Sequence, residues 1–136
     1  MDDIAAMIQQ EVTGWPGVTA QEHRFGGVEF QFDNHEIGHM HGGTLADLPF
    51  PVRVGKELVA AGRATVHHVL PESGWVSYYL HGSDDVPAVI ELFRLNYERL
   101  AGARARQVER TGAQAAASVP AEGTESTKKS GVSPSG

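Results

Sequence analysis

Hydrophobic residues recur along this chain with two different periods, and the switches between them mark its elements. Ile4, Met7, Ile8 and Val12 repeat at the spacing of one helix face, with Asp2 or Asp3 to cap the start and Gly14 to suit the end. After the turn residues Trp15-Pro16-Gly17 the period drops to two. Val28, Phe30 and Phe32 alternate with Glu29, Gln31 and Asp33, as on a strand with one buried face. Asp33-Asn34-His35 predicts a tight turn, and a return strand in which Ile37, His39 and His41 share one face while Glu36, Gly38 and Met40 take the other. Gly42-Gly43 closes that strand, and a loop carrying Asp47, Pro49 and Pro51 leads to a short helix around Val54, Leu58 and Val59 that stops at Gly62. Arg63–Leu70 reads as a strand, Pro71-Glu72-Ser73-Gly74 as a turn and Trp75–His81 as a strand pairing back. Ser83-Asp84-Asp85 then caps a closing helix with the apolar stripe Val86, Val89, Ile90, Phe93, Tyr97 and Leu100.

Strands joined by short turns pair antiparallel, so the pattern predicts an α+β domain. Its small antiparallel sheet has helices packed on one face and is flanked by N- and C-terminal helices. The stripe ends at Leu100, after which the chain has no Ile, Leu, Met, Phe, Trp or Tyr. A segment so poor in apolar groups cannot offset its ordering entropy. The expected organisation is therefore one domain over residues 1–103 and a disordered tail over 104–136, helical at most in its first residues.

Charge follows the same boundary. Residues 1–103 carry 14 acids and 6 Lys or Arg, whereas residues 104–136 carry 3 acids and 5 Lys or Arg. An acidic domain argues against nucleic acid or an anionic membrane as partner. The absence of Cys excludes disulfides and thiolate metal ligands. An acidic N-terminus without an apolar run gives no sign of a secretory leader, so the expected location is the cytoplasm.

Candidate chemistry centres on histidine. Of seven His, five fall in two short segments, His35, His39 and His41, then His67 and His68. Imidazole serves as an acid or base near neutral pH and as a metal ligand. On a strand, His39 and His41 project from one face, and His67 or His68 (opposite faces of the next strand) could complete a three-His metal site; if a metal is bound, His39, His41 and His67 are its expected ligands. His35-Glu36-Ile37-Gly38-His39 also fits the H-E-x-x-H zinc-hydrolase pattern, which works only on a helix, and Gly38 and Gly42-Gly43 oppose a helix here. Asp47 could orient an imidazole or simply cap a turn. Arg63 could bind a substrate oxygen or pair with a surface acid, and Trp75, Tyr78 and Tyr79 could line an aromatic pocket. No phosphate-loop or nucleophile-elbow spacing is present.

The strings Glu36-Ile37-Gly38-His39-Met40-His41, Gly62-Arg63-Ala64-Thr65-Val66-His67-His68-Val69-Leu70-Pro71 and Gly74-Trp75-Val76-Ser77-Tyr78-Tyr79 resemble the luciferase-domain family over about residues 24–100. That family includes the fungal luciferases and many bacterial proteins. The resemblance implies a monooxygenase-like activity in which O₂ adds to an enolisable small molecule, 3-hydroxyhispidin in the fungal enzymes, without an organic cofactor. Such chemistry needs a base, donors for an oxyanion and an apolar wall. Carried over by position, His39, His41, His67 and Glu36 are the catalytic candidates, and Arg63, His68, Trp75 and Tyr78 the substrate-binding ones. The expected partners are a small-molecule substrate and O₂, with no nucleic acid and no membrane; no cofactor is expected, a metal being the one open addition. The alternatives are a non-catalytic small-ligand-binding domain and the zinc-dependent hydrolase. Two departures stand out: the membrane anchor and longer domain of the fungal enzymes have no counterpart here, and His35 stands where Arg is more usual.

Overall fold

The computed structural model describes residues 3–23 and 27–117. Helix α1 (Ile4–Thr13) is capped by Asp3, whose carboxylate accepts the Ala6 N–H, and it buries Ile8 and Val12. A six-stranded sheet follows: β1 (Val18–His23), β2 (Gly27–Phe32), β3 (His35–His41), β4 (Leu45–Pro49), β5 (Thr65–Val66) and β6 (Trp75–Tyr79). Helix α2 (Val52–Ala60) lies between β4 and β5, and α3 (Val86–Ala117) closes the order after a 3₁₀ turn at Ser83–Asp85. The strands run in space as β1-β2-β3-β4-β6-β5, and every pair is antiparallel. This is the α+β architecture that the periodicity predicts, with N- and C-terminal helices flanking the sheet.

One face of the sheet is the core. Phe30, Ile37, Met40, Ala46, Leu48 and Val76 meet Ile8 and Val12 of α1, Leu58 of α2 and Val89, Leu92 and Phe93 of α3. Phe93 meets Phe30 edge to face, with centroids 5.3 Å apart. The chain divides into two units after Ala101. The second unit begins at Gly102 and is helical through Ala117, past the predicted boundary at 103, because Ala, Arg, Gln and Glu dominate there and favour helix. The remainder of the predicted tail, 118–136, lies outside the described residues.

Several elements differ from the sequence reading. β1 was not predicted; it is a polar edge strand whose Val18 and Ala20 alone reach the core cluster. The segment read as a loop around Asp47 is strand β4. Ala46, Leu48 and Phe50 alternate inward, but Pro49 and Pro51 mask the pattern. The strand expected over Arg63–Leu70 shrinks to Thr65–Val66. The His67 ring nitrogen Nδ1 accepts the Val69 and Leu70 N–H groups, at 3.1 and 3.0 Å, and so turns the chain off the sheet.

The consequential difference is in β3. Asp33 and Asn34, with φ of 54° and 67°, form the two-residue hairpin turn that their residue types favour. Pairing with β2 then slips: Phe30 opposes Gly38, but Gln31 opposes Glu36, so Ile37 is an extra residue, a β-bulge. The bulge reverses the alternation. Ile37 joins Met40 in the core, and Glu36 joins His39 and His41 on the outer face, opposite to the regular-strand expectation. Two groups hold it in place. Asn96 of α3, fully buried, donates to the Ile37 and Pro49 carbonyls, both at 2.9 Å. Gly38 admits close packing, since a Cβ there would lie 2.8 Å from the Phe93 ring and 2.9 Å from the Asp47 carbonyl.

Candidate functional site

The outer face of the sheet carries one polar row in register. His39 of β3 opposes Asp47 of β4, which opposes Ser77 of β6, which opposes Thr65 of β5. Side chains directly opposite on antiparallel strands meet at close range. Asp47 is the centre of this row and is 1 % exposed. Its Oδ1 accepts the Ser77 hydroxyl at 2.6 Å. Its Oδ2 is surrounded by four imidazole Nε2 atoms: His41 at 3.0 Å, His39 and His68 at 3.5 Å, and His67 at 3.7 Å.

Each ring has a distinct setting. His39, 12 % exposed, has its Nδ1 2.7 Å from Glu36 Oε2, a contact that exists because the bulge turns Glu36 outward. Burial pulls the His39 pKa down, but hydrogen bonding to Asp47 and Glu36 outweighs it and raises the value to about 9. Asp47 shows the converse. Burial alone would raise it, yet the His39 and Ser77 hydrogen bonds hold it well below the usual carboxylate range. His67 is pushed down, first by burial and then by the neighbouring imidazoles, with Asp47 opposing in part. Geometry agrees: a ring nitrogen that accepts two backbone N–H groups cannot carry a proton, so neutral His67 carries its hydrogen on Nε2. His67 is thereby fixed as an N–H donor into the cluster. His41 and His68 are the more exposed members, and the rings of His67 and His68 stack 4.4 Å apart. Trp75 walls one side, its ring 5.7 Å from His39 and 5.5 Å from His67.

Of the residues singled out in the sequence, Glu36, His39, His41, His67, His68 and Trp75 are brought together. The expectation that only one of His67 and His68 could reach the site fails, because the chain has left the strand there and both point at Asp47. Arg63 and Tyr78 lie elsewhere. Arg63 faces Glu91 of α3 at 3.8 Å, and Tyr78, on the opposite strand face from Ser77, donates its hydroxyl to Asp85 at 2.9 Å. His35 is exposed, with its ring nitrogen 2.9 Å from the Asp33 carbonyl, and the His35–His39 segment is strand. The helical face that H-E-x-x-H chemistry requires is absent from that segment. Ser77 was missed and Asp47 was not placed at the centre; the inward alternation of Ala46, Leu48 and Phe50 is the signal that puts Asp47 on the histidine face.

Two groups of ligand-type atoms lie within 4.8 Å of one another: His39, His41 and Asp47, and Asp47, His67 and His68. Asp47 belongs to both groups, and neither is the expected set of His39, His41 and His67. Among the described residues, no helix is long and apolar enough to cross a membrane. Compared with known proteins, residues 34–96 match the family model described as Luciferase domain, a window that opens in the β2–β3 turn, ends at Asn96 and contains the whole cluster. No curated protein and no solved structure matches the chain.

Proposed function

Because this chain belongs to the luciferase-domain family through residues 34–96, we propose that it is an oxygen-dependent enzyme acting on a small enolisable substrate at the outer sheet face. The observation that carries this reading is the convergence of four imidazoles on one buried, ionised carboxylate. The imidazole N–H groups of that cluster favour an anionic enolate over its neutral parent. The substrate ring or chain packs on Trp75, whose apolar face excludes water. His67, locked as an Nε2–H donor, holds the enolate oxygen. His68, half-exposed beside it, takes the proton released from the carbon next to the carbonyl. The enolate carbon then forms a C–O bond with O₂, which is the oxidant, and the resulting peroxide oxygen takes back the proton held on His68 to give a hydroperoxide. Glu36 positions His39, and Ser77 positions Asp47; neither needs to touch substrate.

The test is to incubate the protein with a panel of 1,3-dicarbonyls and hydroxypyrones, following O₂ uptake with an electrode and, without O₂, exchange of the acidic C–H for deuterium by NMR. Exchange and uptake that both fall at least about 100-fold in His67→Gln support the reading, in line with the loss of one oxyanion donor. Neither activity above buffer on any member of the panel overturns it.

A further inference from the structure

We infer that His39 Nε2, His41 Nε2 and Asp47 Oδ2 form a two-histidine, one-carboxylate site for a divalent first-row transition metal ion, with its open positions facing His67 and His68. The inference deepens the reading of the same face as an oxygen-chemistry site.

Separation of the ligand atoms is the first argument. An ion held at about 2.1 Å by nitrogen and oxygen sets neighbouring ligand atoms about 3.0 Å apart in an octahedron and about 3.4 Å apart in a tetrahedron. Asp47 Oδ2 lies 3.0 Å from His41 Nε2 and 3.5 Å from His39 Nε2. Both carboxylate–imidazole pairs already stand at the spacing of a coordination sphere, and all three ligand atoms lie within 4.8 Å of one another.

The second argument is proton placement. With Glu36 at its Nδ1, His39 turns its Nε2 toward the Asp47 oxygen, 3.5 Å away. In the metal-free protein a proton on His39 joins the two, and a divalent ion takes that proton's place on binding. A carboxylate behind the far nitrogen is the usual outer partner of a metal-bound histidine. Ser77 does the corresponding work for Asp47: it occupies Oδ1 and leaves Oδ2 to point at the two rings. All of this sits on paired strands, which fix ligand positions better than loops do.

The same reasoning excludes the predicted third ligand. His67 would need a free lone pair on Nε2, but its Nδ1 accepts two backbone N–H groups, so the neutral ring keeps its proton on Nε2. Its Nε2 is also the farthest of the four, at 3.7 Å. His67 therefore faces the ion's open side as a donor and is not a ligand. Two nitrogens and one oxygen suit Fe, Mn, Co, Ni or Zn in preference to Ca or Mg, which favour all-oxygen shells.

The experiment reads metal and not turnover. Full-length protein is stripped with chelator and titrated with Co(II) by calorimetry and visible absorption, with Zn(II) and Mg(II) in parallel, and elemental analysis gives the stoichiometry. One equivalent of Co(II) or Zn(II) is expected, with no binding of Mg(II). His41→Ala, altering a half-exposed side chain, is expected to abolish tight binding. Glu36→Gln is expected to weaken it about 10- to 100-fold, as removal of an outer partner does. His67→Gln is expected to retain both stoichiometry and affinity. Circular dichroism of each variant establishes that it is folded. No Co(II) or Zn(II) binding by folded wild-type protein overturns the site and leaves a proton between His39 and Asp47. Binding that survives His41→Ala but is lost in His67→Gln also overturns it, in favour of the Asp47, His67 and His68 group. Failure of the enolate assay with intact metal binding leaves the metal site standing, so the two readings fail separately.

Discussion

Asn96 is the point at which the core and the site can be tested together. Its amide donates to two carbonyls, Ile37 at the bulge and Pro49 at the end of β4, and its own Oδ1 accepts from Arg99 Nε at 2.8 Å. Asn96→Leu keeps the branched shape and removes the donors. Each carbonyl that loses this donor costs about 1–3 kcal/mol, so the pair costs about 2–6 kcal/mol. Against a total stability of about 5–15 kcal/mol, that is a large fraction of the fold's margin. Urea unfolding by fluorescence and circular dichroism should show a lower midpoint with an unchanged slope. Amide exchange of Gly38 and His39 should rise above that of β6, because the bulge is where the loss falls. A destabilisation under about 1 kcal/mol, with exchange at the bulge unchanged, would refute the claim that Asn96 holds the bulge.

Three further outcomes follow from the geometry. His35→Ala should leave activity and metal content unaltered, since His35 faces solvent; a loss of either would restore the H-E-x-x-H reading. Ser77→Ala removes the 2.6 Å donor to a buried carboxylate and should cost about 1–3 kcal/mol in a denaturation midpoint; a neutral result would mean that Asp47 finds another partner. Asp85, held below the ordinary aspartate value of 3.8 by the His81 N–H and the Tyr78 hydroxyl, contributes stability that is present above that value and lost as pH falls through the lower folded one. The stability difference between wild type and Asp85→Asn should accordingly narrow as pH drops from about 6 to about 3, and a gap independent of pH over that range would count against the pairing.

Much of this molecule was legible from its residues. The helical stripes of α1 and α3, the Val28–Phe32 alternation and the Asp33-Asn34 turn are local signals, and local signals survive in a single sequence. Glu36, His39, His41, His67 and His68 were named because His and Glu at short spacing are conspicuous, whereas Ser77 was missed. Three things were not visible. The bulge depends on contacts that α3 makes 59 positions downstream of Ile37 through Asn96. The strand character of β4 was hidden by prolines. The corner at His67 arises from a side chain bonding to its own backbone, which strand propensity does not register. Asp47 fell out of the first rank for the second of these reasons, and Arg63 and Tyr78 entered it because a strand's facing cannot be read until its register is known.

The order of the strands in space carries a consequence for how the site comes into being. β1 to β4 are neighbours in sequence and can pair as they are made, which sets His39 beside Asp47 early. β6 joins β4 only after α2, β5 and the Pro71–Gly74 turn have been traversed, and it brings Ser77 and Trp75 with it. Closing that longer loop is the slower event. A chain paused before residue 75 therefore holds two imidazoles and a carboxylate on an open sheet edge, without the hydroxyl that orients the carboxylate or the indole that shields it. The cluster is complete only when β6 seats against β4 and sets Ser77 beside Asp47 and Trp75 beside His39 and His67.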